Sequence, residues 1–237
     1  VAVDGAGNVY STGKGIYPGP NYFGNNGLDL MTVVKYSAAG DSLWTYKQPS
    51  TTDISIGFGI AAKGNKVYAV GFKADTAYVD ENFYTVTLDT AGNVLSDWTF
   101  SGEGDAIIRG QFVRTDALDN VYAAGTCDRL YSYPPTFDVT IVSYDAAGNH
   151  RWTTTYSSPG WRNDTLTGME LDPAGNLILS ISTDTGGTGT GYQLSLVKMS
   201  TAGVVLDNII DSSGIWTNLF ANSMVVRSDG STVLGCN

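Results

Sequence analysis

Five residues keep returning along this chain: Asp4-Gly5-Ala6-Gly7-Asn8, Asp89-Thr90-Ala91-Gly92-Asn93, Asp145-Ala146-Ala147-Gly148-Asn149 and Asp172-Pro173-Ala174-Gly175-Asn176. Looser copies are Asp116-Ala117-Leu118-Asp119-Asn120, Ser37-Ala38-Ala39-Gly40-Asp41 and Ser200-Thr201-Ala202-Gly203-Val204. Each lies between two short runs of alternating apolar residues, the setting of a hairpin turn. Asp or Ser at the first position accepts hydrogen bonds from turn amides, Pro173 suits the second position of a type I turn, and the glycine supplies a left-handed backbone. A chain punctuated in this way is a succession of short antiparallel strands.

The turns belong to a longer repeat. Gly13, Gly71 and Gly125 end similar strands 58 and 54 residues apart. In the third strand of each unit Tyr36, Leu88, Tyr144 and Met199 align, as do Val34, Val86, Val142 and Val197. Trp44, Trp98 and Trp152 recur on the fourth strand, and the fourth unit lacks its copy. The expected role of these aromatics is packing between sheets. Four strands per unit, apolar on both faces and without helical periodicity, predict an all-β β-propeller of four-stranded antiparallel blades. A β-sandwich would not produce a period of this length with matching columns. The blades span about 1–47, 58–101, 110–157 and 167–211, with a partial fifth at 222–237. Three arrangements stay open: five blades with one thin, a segment of a larger ring, or an N-terminal hairpin outside the ring.

At 237 residues the chain can be one all-β domain with a sizeable core, and 42% hydrophobic residues suffice to fill it. A net charge of −10 without a basic stripe disfavours nucleic acid. No apolar run approaches the length of a membrane-spanning helix. The chain opens within a strand, so the expectation is a mature product or a piece of a longer polypeptide. Cys127 and Cys236 each follow a strand-ending glycine and are expected at similar points of two separate repeats, too distant to be bonded.

The segments Val3–Gly13 and Val139–Tyr156 read Val-Asp-x-x-Gly-Asn-Val-Tyr-x-x-Gly and Val-x-x-Tyr-Asp-Ala-Ala-Gly-Asn-x-x-Trp-x-x-x-Tyr in outline. This pattern resembles the SBBP-type bacterial β-propeller repeat, and the resemblance covers essentially the whole chain. It implies a propeller in a secreted or surface-anchored bacterial protein, and it brings no shared catalytic motif. The chain departs from the pattern in its Trp-less fourth unit, its unfinished fifth, and Lys63-Gly64-Asn65-Lys66 in place of an acidic turn.

Strand alternation puts the short Asp-x-Ala-Gly-Asn turns on one face and the long, mutually dissimilar connections on the other. Function in repeat proteins collects on the variable face. Those connections carry Tyr17, Tyr22, Tyr78, Tyr131, Tyr133, Trp161 and Trp216, the candidate ligand-binding residues, together with Phe23. Beside them stand the carboxylates Asp53, Asp75, Asp80, Glu81, Glu103, Asp105, Asp128 and Asp164. Exposed aromatics among Asp and Asn suit sugar stacking or a protein contact; the competing role is packing onto blade edges.

Catalytic signals are weak. His150, the single histidine, falls in a turn on the uniform face, so neither a His-based zinc site nor a Ser-His-Asp triad is expected. Glu103 and Asp105 have the composition of a glycosidase pair without a pocket to place them in. Gly186–Gly191 lacks the Lys-Ser/Thr of a phosphate loop, and each acidic turn offers one carboxylate where a calcium loop converges several oxygens. No cofactor is expected. The reading is a non-enzymatic extracellular or cell-surface binding or adhesion propeller facing a protein or surface partner. A carbohydrate-binding or carbohydrate-cleaving propeller and a structural unit of a surface layer or filament are the alternatives, and self-association is left open.

Overall fold

The computed structural model describes residues 1–17, 27–75, 81–101, 107–129, 136–160, 162–184, 191–210 and 221–236. Among them are eighteen strands and no helix. The first sheet is β1 (Ala2–Val3), β2 (Val9–Tyr17), β3 (Leu28–Tyr36) and β4 (Ser42–Lys47). The second is β5 (Asp53–Lys63), β6 (Lys66–Asp75), β7 (Asn82–Asp89) and β8 (Val94–Phe100). The third is β9 (Ile107–Thr115), β10 (Val121–Arg129), β11 (Thr136–Tyr144) and β12 (His150–Tyr156). The fourth is β13 (Asp164–Leu171), β14 (Leu177–Asp184), β15 (Tyr192–Met199) and β16 (Val205–Ile210). β17 (Ala221–Val226) and β18 (Thr232–Cys236) form a two-stranded fifth sheet. In the first four sheets the strands lie in sequence order, each neighbouring the next. The chain divides into two compact units, Val1–Val113 and Arg114–Asn237.

Burial follows strand position. β14 is buried along its whole length and β11 at all but one residue, whereas every residue of β16 is exposed. Central strands covered on both faces explain why alternation fades there in the sequence. In the first unit Tyr10, Val33 and Tyr46 of the first sheet join Val67, Tyr84, Val86 and Leu88 of the second in one core cluster. Each such side chain contributes roughly 1.5–3 kcal/mol by leaving water.

Register bears out the third-strand columns: Tyr36, Leu88, Tyr144 and Met199 lie opposite Val9, Val67, Val121 and Leu177. It corrects the tryptophan column. Trp44 and Trp152 stand opposite Lys35 and Ser143, next to the third-strand terminus, whereas Trp98 pairs with Thr85, two positions further. Trp98 thus occupies the column of Tyr46, which pairs with Val33. The sequence held the clue: Trp44 and Trp152 follow their turn glycines by four residues and Trp98 by six. In the fourth sheet the Trp44 column holds Asp207, opposite Lys198.

The cysteines also shift. Cys236 lies opposite Ala221, the pairing that Gly71 makes with Gly57, so its counterpart in β10 is Gly125 and not Cys127. Both thiols are free, Cys127 buried and Cys236 exposed. Gly71 itself is fixed by crowding: a Cβ there would meet the Ile56 carbonyl oxygen at 1.8 Å. Several strands also run beyond their apolar stretches. Tyr17, Asp53, Asp75, Asp128 and Asp164, expected in connections, are strand residues, because backbone pairing continues (Tyr17 opposite Leu28, Asp53 opposite Asp75, Asp128 opposite Phe137, Asp164 opposite Thr183) where side-chain alternation has stopped.

Candidate functional site: two unlike ends of the sheets

At one end of the sheets the turns repeat a single construction. The Asp4 amide donates to the Asn8 carbonyl and the Gly7 amide to the Asp4 carbonyl, and the same pair of bonds closes the turns at Asp89, Asp116, Asp145 and Asp172. Asp4 Oδ1 accepts from the amides of Ala6 and Asn8, each at 2.9 Å, while Oδ2 accepts from Asn8 Nδ2 and the Tyr10 hydroxyl. Asp89, Asp116 and Asp145 take the two matching amides and the matching Asn side chain. The Asn8 side chain is the main reason the Asp4 carboxyl sits at about 2, below its ordinary 3.8. Asn93 and Asn149 depress Asp89 and Asp145 in the same way. These carboxylates are consumed as turn caps, in keeping with the sequence reading. Where the fourth sheet replaces the capping tyrosine by Ile178, Lys198 Nζ reaches Asp172 Oδ2 at 2.7 Å instead. His150 is on this end too, exposed and bonded to Thr153 Oγ1 at 2.8 Å.

Tryptophan fastens one sheet to the next at this end. Trp44 Nε1 donates to the Thr90 carbonyl at 3.0 Å, with its ring against Gly92, and Lys35 Nζ donates to the same oxygen. In the second unit Trp152 Nε1 donates to the Thr201 carbonyl at 3.0 Å and its ring lies on Gly203. Each ring also tilts against a tyrosine of its sheet's second strand, Tyr10 or Tyr122, with centroids 6.0 Å apart.

The other end differs in every sheet. In the first, Lys14 and Asp29 pair at 2.8 Å, and Lys47 Nζ lies 4.3 Å from the Tyr17 ring centre while the Tyr17 hydroxyl meets Thr32 Oγ1 at 3.2 Å. Between the first and second sheets, buried Gln48 and Ser55 tie the strands: Ser55 Oγ accepts from the Met31 amide at 2.8 Å. The second sheet pairs Lys73 with Asp53 at 3.0 Å. Arg109 clasps buried Glu81 through both Nε and Nη2 and lies over the Phe72 ring. Burial pushes Asp53 up, but the bonds from Lys73 outweigh it and the carboxyl ends below its ordinary value.

In the second unit the equivalent region is acidic and buried. Asp164 and Asp138 are 0% and 1% exposed, and Asp184 is 4%. Asp164 Oδ1 accepts from Thr183 Oγ1 at 2.6 Å and Oδ2 from the Ser158 amide at 2.6 Å. Burial pushes the Asp164 carboxyl up and the Asp138 charge adds to it, against the hydrogen bonds of Thr183 and Ser158. Asn163 braces the neighbourhood: its carbonyl accepts from the Asp184 amide and its side-chain oxygen from the Phe137 amide. The sequence reading missed Asp138, although an acid between Phe137 and Val139 in a buried strand was the available signal.

Of the candidate ligand-binding residues, Tyr17 is placed on the variable end with one face under Lys47. Tyr22, Tyr78, Tyr131, Tyr133, Trp161 and Trp216 lie outside the described residues, as do Asp80, Glu103 and Asp105. Among the described residues no three His, Cys, Asp or Glu side chains are grouped to hold a metal ion, and no helix is long and apolar enough to cross a membrane. No protein-family model matches the chain, and no curated protein is significantly similar to it.

Proposed function

We propose that this chain is a propeller-type display scaffold of the SBBP repeat kind, extracellular or cell-surface and non-enzymatic, that presents its variable loop end to a protein or surface partner. The observation that carries the reading is the contrast between the two ends. One repeats a single hydrogen-bonded turn whose acids are spent on their own backbone. The other changes its polar side chains from sheet to sheet on a common strand frame. A rigid frame with one individual face is how repeat folds carry recognition. The ion pairs found there support binding over catalysis, since Asp53 and Glu81 are engaged by Lys73 and Arg109.

Adhesion to matrix- or cell-coated surfaces tests this. Replacing residues 18–26 and 76–80 by Gly-Ser segments of equal length is expected to lose binding, while Ala6→Lys and Ala147→Lys on the uniform end keep it. Retained binding after loop replacement, or equal loss from the turn variants, overturns the assignment. A glycan array separates the carbohydrate reading: it requires a glycan held by the parent chain and released by Trp161→Ala or Trp216→Ala.

A further inference from the structure

One register position is filled by different chemistry in the two units. Gly57 of β5 lies opposite Gly71 and Leu166 of β13 opposite Ile181, each at the last pair before its strand's bulge. Counting back from there makes Ser55 and Asp164 counterparts. Counting back along the third strand from Tyr36 and Tyr144 makes Leu30 and Asp138 counterparts. In the first unit both places are neutral: Leu30 sits in an apolar cluster, and Ser55 joins the Met31 amide and Gln48. In the second unit both are carboxylic acids, and both are buried. The strand frame therefore closes without an acid at either place, and a purely structural need does not explain the pair.

Asp164 can hold a proton without any rearrangement around it. Thr183 Oγ1 lies 2.6 Å from Oδ1 and, as a hydroxyl, donates to a carboxylate or accepts from a carboxylic acid. The Ser158 amide donates to Oδ2 at 2.6 Å in either state. Among the described side chains no Lys or Arg reaches Asp164 to offset its charge, and Arg162, just ahead of it, forms no ion pair with it. The titratable groups on the strands packed against it are Asp138 of β11, Tyr156 of β12, Asp184 of β14 and Cys127 of β10, a strand that ends in Asp128 and Arg129. Glu170, on β13 itself, is engaged by Arg114, and β17 brings no titratable side chain. Burial and the Asp138 charge both oppose ionisation. Asn163 adjoins the acid and ties down two strand ends, its carbonyl accepting from the Asp184 amide and its side-chain oxygen from the Phe137 amide.

We infer that Asp164 is a proton-operated latch at the variable end of the second unit. With its proton on, the acid holds Ser158 and Thr183 and closes the start of β13 onto β11 and β14. With the proton lost, an uncompensated charge is buried beside Asp138, and the start of β13 lifts to reach water. That movement loosens Ser158 and the bonds that Asn163 makes to Phe137 and Asp184. The closed form binds the proton more tightly than the open one, so the latch is closed below the ordinary carboxyl range and loosens as pH rises through the raised value of Asp164. On the binding role proposed above, a partner at this end is held more firmly at the lower pH; the latch itself does not depend on that role.

Amide hydrogen exchange on the 237-residue chain, from about pH 4 to about pH 8, tests the latch with no partner present, so its failure is distinct from a failure of the adhesion assay. Exchange is expressed as protection factors, which remove its intrinsic pH dependence. The Ser158, Phe137 and Asp184 amides should lose protection by at least about tenfold as pH rises, while the Gly175 amide, bonded to the Asp172 carbonyl at the uniform end, should change by less than about twofold. Asp164→Asn is neutral and keeps both hydrogen bonds, and Asp164→Ser copies the first unit. Each should abolish the pH response at Phe137 and Asp184, and either one suffices if the other fails to fold. Asp138→Asn should move the midpoint of the response to lower pH. Protection that is independent of pH in the parent chain, or a response unchanged in the Asp164 variants, overturns the inference.

Discussion

Asp119 shows how tightly the turn constrains a single residue. It holds the position that glycine holds in the other acidic turns, and it is the one non-glycine residue among those described with positive φ, at 62°. A Cβ in that conformation costs about 1 kcal/mol. Asp119→Gly is therefore expected to raise stability by roughly 0.5–1 kcal/mol, seen as a higher urea midpoint with an unchanged slope. The cap beside it works in the opposite direction. Burial raises the Asp116 carboxyl, but bonds from Asn120, Tyr122 and the turn amides win and lower it. Asp116→Ala should destabilise by about 1–3 kcal/mol, since the Tyr122 hydroxyl and two amides lose their acceptor together. The cap was legible in the sequence, because Asp, Gly and Asn at fixed offsets have one common use, whereas the left-handed backbone of Asp119 was not read there. That the tyrosine two residues past the turn also reaches the carboxylate was not legible. It depends on the ring lying back along the strand, which spacing alone does not report.

At the scale of the element, the fastening of one sheet to the next is a tryptophan laid on a turn glycine. Gly203 and Gly175 have nearly the same backbone, φ 80° and 86°, but a Cβ at Gly203 meets the Trp152 ring at 2.9 Å and a Cβ at Gly175 meets nothing within 4 Å. Gly175→Ala should cost only the backbone strain, about 1–2 kcal/mol, and Gly203→Ala at least about 1 kcal/mol more, because the ring must move off the turn. Equal midpoints for the two variants in urea titrations would show that the ring does not hold the turn. The strands themselves could be read from the sequence through their apolar columns. The fourth strands were harder: Trp98 resembles Trp44 in type and rough position, yet a register difference of two residues gives it another neighbourhood. Strand ends were hardest, since Asp53 and Asp75 continue the ladder with polar side chains that read as a connection.

For the whole molecule, two sets of acids set opposing responses to pH. Asp4, Asp89 and Asp145 titrate below their ordinary value, so the stability they contribute is present at neutral pH and is lost as pH falls through their lowered values, for Asp4 from near 4 down to about 2. Asp164 titrates above its ordinary value, so the folded state takes up its proton more readily than the unfolded chain, and its contribution disappears as pH rises through the raised value. Asp164 should thus make the protein more stable as pH falls through its raised value, and the turn acids less stable as pH falls through their lowered ones. Asp164→Asn is expected to flatten the upper part of that profile and leave the acid collapse in place, as urea midpoints across pH would show. The buried pair behind this effect was only half visible in the sequence. Asp164 was read as part of an exposed connection, whereas it opens β13 fully buried, and the Asp138 that helps push its carboxyl up lies 26 residues earlier in the chain. The turns carry one more implication. Ala6, Ala91, Leu118, Ala147 and Ala174 crown five loops with one backbone hydrogen-bond scheme, and all five are exposed. An antibody raised against that backbone shape would meet the same epitope five times on a single chain, so two arms linked together would hold on far longer than one.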